Sequence, residues 1–148
     1  MNSICQKNVD SFLELFNTIR HIEAEEDYDK FCAINKENSK RRALSSFFVH
    51  LMKQTVISPD KVINLIDILI NKFHSYIDSE NKKNEVDEIV ENLVVMISEG
   101  FKFIELHNEE KALEIKNFVS NAASMKSRDH CSLSSKTTFK FMDLDDEY

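Results

Sequence analysis

The 148-residue sequence holds one glycine and one proline. That scarcity argues against sheets joined by tight hairpins, which draw heavily on glycine turns, and leaves an all-α chain as the expectation. A single glycine also cannot build the glycine-rich loops that cradle phosphates, and neither GxGxxG nor GxxxxGK[ST] occurs, so nucleotide binding by such loops is excluded. The three cysteines, Cys5, Cys32 and Cys131, are odd in number and far apart, with no CxxC pair. They suggest neither a disulfide framework nor a zinc site and read as free thiols in a reducing compartment. Every apolar run is broken by Asp, Asn, Lys or Glu well short of about 20 residues, and MNSICQKNVD lacks the apolar stretch of a signal peptide, so no membrane span is expected. A basic excess is missing as well. The formal net charge is −7 and the pI is near 5.2, which demotes a sequence-independent hold on phosphate backbone, although a local basic strip remains open.

What is present is helical periodicity. With 42% hydrophobic residues, one domain over residues 1–148 is the default. Ile4, Val9, Phe12, Leu13, Phe16, Ile19 and Ile22 give a first stripe over residues 1–24, followed by an acidic run from Glu23 to Asp27. From about Glu26 to Gln54 no strong breaker appears, and a long or once-bent helix fits, with Leu44, Phe47, Phe48, Leu51 and Met52 on one face. Ser58-Pro59-Asp60 supplies an N-cap hydroxyl, a proline in the first turn and an acid at the positive end of the dipole. The helix it opens carries Val62, Leu65, Ile66, Leu69, Phe73 and Ile77, and Ile63, Ile68, Ile70 and Tyr76 widen its apolar surface, so it is expected to fold back on the preceding helix and be buried on two sides. Ser79 to Glu85 reads as a loop. A helix over about 85–99 then turns Val86, Ile89, Val90, Leu93, Val94 and Ile97 inward, with Gly100 as its left-handed C-cap. Asn108, followed by two glutamates, caps a helix using Ala112, Leu113, Ile115, Phe118, Val119 and Ala122. SMKSRDHCSL reads as a polar, mobile loop. Ser134 or Ser135 caps a last helix carrying Phe139, Met142 and Leu144, whose acidic end, residues 143–148, is expected to fray against the dipole. The architecture expected is stacked antiparallel helix pairs, about six helices in a HEAT-like array.

No catalytic constellation stands out. The five histidines are scattered, and none forms the i, i+4 pair with a glutamate that marks a zinc helix. His130 and Cys131 are adjacent, a spacing that does not normally bring two side chains face to face. Asp87 and Glu91 look like a solvated face, because nothing there pushes their pKa values apart. The expectation is therefore no catalysis, no cofactor and no metal. Lys36, Lys40, Arg41 and Arg42 form the dense basic cluster. They read first as a solvated face pairing with neighbouring acids, and second as a weak RNA contact.

Three stretches, in order, resemble the later part of the middle domain of eukaryotic translation initiation factor 4G, a HEAT-repeat scaffold family. Lys40, Arg41 and Arg42 followed by Phe47, Leu51, Lys53 and the Val56-to-Pro59 turn look like its basic run, Phe-x-x-x-Leu-x-Lys helix and turn. VVMISEGFK, with Gly100 and Lys102, resembles a family helix ending in glycine and a basic residue. Ser134, Ser135, Lys136, Phe139 and Asp143 resemble its terminal helix, and Cys5-Gln6-Lys7 is a weaker fourth match. The sequence departs from the pattern at Ser45 and Ser46, where the family has glycine and small residues, in the placement of the basic run, and in being shorter, as a fragment or a short relative would be. The resemblance implies a cytoplasmic translation-initiation scaffold that grips a DEAD-box RNA helicase of the initiation factor 4A type and stabilises its active arrangement. A related adaptor in splicing or RNA decay, or a small RNA-binding helical module, is the alternative. Phe47 and Phe139 match family aromatics but sit on apolar stripes, so they read as core before contact; Lys53 and Lys102, at helix ends, are the better contact candidates.

Overall fold

The computed structural model describes residues 28–148. The first stripe, the Cys5-Gln6-Lys7 match and the acidic run before Tyr28 lie outside the described residues. Within them the chain is all-α: α1 (Tyr28–Lys53), α2 (Pro59–Ile77), α3 (Lys83–His107), α4 (Glu109–Ser124), a short 3-10 turn (Ser127–Asp129) and α5 (Ser135–Asp146), with no strand. None of these helices is long and apolar enough to cross a membrane.

The starts follow the capping chemistry in the sequence. Ser58 accepts from the Asp60 amide (3.3 Å) with Pro59 in the first turn, Asn108 accepts from Lys111 N (3.2 Å), and Ser134 accepts from Thr137 N (3.2 Å). Each satisfies one of the amides a helix start leaves without a partner. Asn108 alone separates α3 from α4, so these two helices meet at a sharp corner.

Residue pairs between helices give the layout. Arg42 meets Glu88, Ser45 meets Asn92, and Met52 lies on Gly100; the numbers rise together, so α1 and α3 run parallel. Asp87 with Ser134 and Thr137, then Glu91 with Lys140, make α3 and α5 parallel in the same way. Lys111 beside Asp67 and Phe118 beside Phe73 make α2 and α4 parallel. The odd helices therefore form one layer and the even helices a second, with α2 antiparallel to α3 and α4 antiparallel to α5. The expected fold-back of α2 onto α1 is corrected here, because α2 pairs chiefly with α3. α3, central in the odd layer, contacts every other helix.

Buried side chains from all five helices form one continuous cluster. Phe73 (α2), Phe118 (α4) and Phe141 (α5) meet edge-on with ring centroids 5.5–5.7 Å apart, the geometry that aligns ring edges with ring faces. They pin the even layer to α5.

Three local expectations are overturned. Gly100 is not a cap: α3 runs through it to His107, no glycine has positive φ, and the missing side chain lets α1 approach. A Cβ there would lie 3.3 Å from both Met52 Cε and Val49 Cγ1. The face α1 buries is Ile34, Arg41, Ser45, Phe48, Val49 and Met52, about one residue round from the expected one, and Phe47 faces outward. Leu113 of α4 and Phe139 and Met142 of α5 are likewise exposed, while Thr137, Thr138, Phe141 and Leu144 point in. At the acidic end, α5 runs through Asp143 to Asp146, and Tyr148 packs its ring 4.3 Å from Phe101 and donates its hydroxyl to Ile97 O (3.3 Å).

The connection from Ser124 to Leu133, which reads as a mobile loop from the sequence, carries hydrogen bonds to the α2–α3 turn. Ser132 is fully buried, donates its amide to Ile77 O (2.9 Å) and its hydroxyl to Ser79 O, and accepts from Lys82 N (3.0 Å). His130 Nδ1 lies 2.7 Å from Asp78 Oδ1, and Leu133 enters the core. The connection thereby closes the α2–α3 turn.

Candidate interaction surfaces

The basic cluster on α1 divides. Arg41 is 0% exposed and its stem lies against the core; burial pushes its guanidinium pKa downward against the opposing pull of Glu88 and Glu37, yet an arginine remains charged there. Arg42 Nη2 is held 2.6 Å from Glu88 Oε1. Ser45 Oγ donates to Asn92 Oδ1 (2.6 Å), and Asn92 Nδ2 donates to Glu88 O (2.7 Å). This seam sets the register of α1 on α3, because a slip of one residue would strand several buried polar groups. Arg41 is thus withdrawn as an RNA contact and Arg42 is engaged by an acid, leaving Lys36 and Lys40 exposed.

On the other side of α3 the charges interleave again. Asp87 Oδ1 accepts from Ser134 Oγ and Thr137 Oγ1, both at 2.7 Å, and Lys140 pairs with Glu91. Burial lowers the Lys140 pKa first, and the positive charge of Arg42 adds to it. Asp87 and Glu91 are therefore not the solvated face that the sequence suggests: with Glu88 they tie α3 to the cations and hydroxyls of α1 and α5. The His130 ring turns to Asp78, while Cys131 Sγ faces Ile77 O at 3.8 Å, so the adjacent histidine and thiol do not address each other. Among the described residues, no three of His, Cys, Asp and Glu gather as a metal site.

Two surfaces carry exposed apolar side chains beside cations. The first is the C-terminal end of α1. Phe47 is 50% exposed, Val56 in the following turn is exposed, and Lys53 is the last residue of α1. The Met52–Gly100 contact puts Lys53 level with the start of the last two turns of α3, where Lys102 is exposed. The parallel register brings the two lysines to one end of the odd layer.

The second surface is a groove of about 390 Å3 between α5 and the 125–128 segment, lined by Met125, Lys126, Arg128, Thr138, Phe139 and Met142 with two serines. Phe139 is 61% exposed at its mouth. It belongs to α5, and α3 stands between that helix and α1, so Phe139 is not gathered with Phe47, Lys53 and Lys102. Lys126 and Arg128 were missed in the sequence because they sit in a connection with no periodicity; the fold, not the spacing, sets them beside Phe139. Comparison of the chain with family models, curated proteins and solved structures returns no match.

Proposed function

We propose that this chain is a cytoplasmic helical scaffold that grips a DEAD-box RNA helicase of the initiation factor 4A type and holds it in its active arrangement during translation initiation. The observation that carries the reading is the exposure of Phe47, Lys53 and Lys102 on two parallel helices whose register sets the two lysines level with each other. The helicase itself is put forward by the resemblance to the middle domain of initiation factor 4G, in which Phe47, Lys53 and Lys102 fall on matched stretches. Two layers of helices with parallel neighbours are compatible with a stacked helical scaffold, which offers a partner an extended surface. Exposed aromatic and cationic side chains suit a protein partner, since a few anchors carry most of an interface's energy. The scaffold supplies no chemistry; it lowers the free energy of one helicase conformation by its differential affinity for that state.

Calorimetric titration of the helicase with this chain and with a Lys53→Glu, Lys102→Glu variant tests the proposal. Both lysines are exposed, so the variant is expected to fold, and it should bind at least roughly tenfold more weakly. Absence of binding by the wild-type chain rejects the helicase partner. Binding instead to a nuclear DEAD-box protein would move the chain to splicing or RNA decay. An RNA module relying on Lys36 and Lys40 would show a salt slope of only roughly −1.4, the value for two contacts to a single strand.

A further inference from the structure

The groove beside α5 has the make-up of a peptide site. Its floor and lip are Met125, Thr138, Phe139 and Met142, and its two charged residues, Lys126 and Arg128, are both basic in a chain whose net charge is −7. Among the described residues neither cation has an ion-pair partner, although acids elsewhere on the surface take up Arg42, Lys111 and Lys140. Its walls are fixed in advance. Thr138 Oγ1 donates to Met125 O (3.4 Å), the hydroxyls of Ser127 and Ser135 are 3.3 Å apart, and buried Ser132 anchors the connection that carries the cations. A pre-formed wall reduces the ordering cost that binding must offset. The volume of about 390 Å3 lies at the small end of ligand sites and accommodates one or two large side chains.

We propose that this groove binds an acidic linear peptide of a partner protein, which inserts a large apolar side chain against Phe139, Met125 and Met142 and sets its carboxylates on Lys126 and Arg128. Two methionines make a polarizable, adaptable floor for such an anchor. The acidic end of this chain is not the occupant: Leu144 is buried and Tyr148 is packed on Phe101, so its apolar anchors are already used. Single-stranded RNA stacking on Phe139 is the weaker fit, because only two cations line the groove and its floor is apolar well beyond the one ring. The site stands apart from Phe47, Lys53 and Lys102, so it does not depend on the helicase reading.

A randomised peptide library displayed on phage and panned on the full chain tests the proposal, with a Lys126→Glu, Arg128→Glu variant panned in parallel. The wild-type chain should enrich peptides with Asp or Glu flanking a Phe, Leu or Met, and the charge-reversed variant should enrich basic peptides around the same kind of anchor. Anisotropy of a labelled, synthesised wild-type peptide should then report affinity at least roughly tenfold lower for the charge-reversed variant and for Phe139→Ser. All three positions are exposed, and unchanged circular dichroism and Tm would show that the fold is intact. Enrichment of neutral or basic peptides by the wild type, affinity indifferent to these substitutions, or displacement of the peptide by an unstructured RNA oligomer would each overturn it.

Discussion

Replacing Gly100 with alanine and with leucine separates two roles for the one glycine. In the interior of α3 alanine gains about 1 kcal/mol of helix propensity over glycine. Against that, its Cβ would sit 3.3 Å from Met52 Cε and Val49 Cγ1, inside the usual carbon contact of about 3.5–4.0 Å. Met52 can yield through its rotatable bonds, whereas β-branched Val49 is stiff, so the crowding should consume most of the gain. Gly100→Ala is expected within about 1 kcal/mol of the wild type. Leucine adds three further carbons where α1 already touches α3, and overpacking of that kind costs about 1–3 kcal/mol or more. Gly100→Leu should therefore be less stable than Gly100→Ala by about 1–3 kcal/mol, a large share of a typical domain's total. Adding Val49→Ala to Gly100→Leu should cost less than the two single changes summed, by about 1 kcal/mol, because the residues share one contact. Urea unfolding followed by far-ultraviolet circular dichroism reads the wild type and the four variants, Val49→Ala alone among them. At a left-handed cap, alanine and leucine would be penalised alike. Stabilities of the two variants within about 0.5 kcal/mol of each other would refute the close approach of α1 to α3.

Arg41→Glu should unfold the chain or cost about 3–5 kcal/mol, since it buries an acid facing Glu88, whereas Arg41→Met should stay folded by keeping the apolar stem; urea midpoints compare them. Burial, reinforced by the charge of Glu147, raises the Tyr148 phenol above its ordinary pKa. A phenol whose folded pKa exceeds its unfolded value contributes stability that is intact below about pH 10 and is lost as pH climbs past it. The alkaline loss of stability should therefore shrink in Tyr148→Phe, and the tyrosinate absorbance removed by that change should titrate above the usual value.

Ser58, Asn108 and the pair Ser134 or Ser135 are legible as caps because an N-cap acts over three residues of local chain, and the structure uses Ser58, Asn108 and, of the pair, Ser134. The inward stripes of α2 and α3 were legible for the same reason: Val62 to Ile77 and Val86 to Ile97 repeat at helical spacing. Gly100 was ambiguous, since a lone glycine suits a cap or a close approach; Phe101 and Ile104, which continue the stripe, were the signal that the helix runs on. Arg41 looked solvated within a basic run, yet it sits four residues before Ser45 and seven before Phe48 on the buried face, a position that charge alone conceals. Phe47 and Phe139 were read inward because α1 and α5 each carry two adjacent or alternate aromatics, and only tertiary packing decides which of Phe47 and Phe48, or Phe139 and Phe141, turns in. The Lys126 and Arg128 groove depends on Ser132 tying its connection to the α2–α3 turn, a contact made across about 50 residues of sequence that no local pattern announces.

The scaffold reading is tested most directly by the RNA-saturated ATPase rate of the translational DEAD-box helicase, titrated with this chain and with the Lys53→Glu, Lys102→Glu variant. Stimulation that saturates with the wild-type chain, and is absent with the folded variant, is the predicted result. An unchanged ATPase rate at saturating wild-type chain, or equal stimulation by both proteins, would contradict the assignment of a helicase-activating surface to Phe47, Lys53 and Lys102.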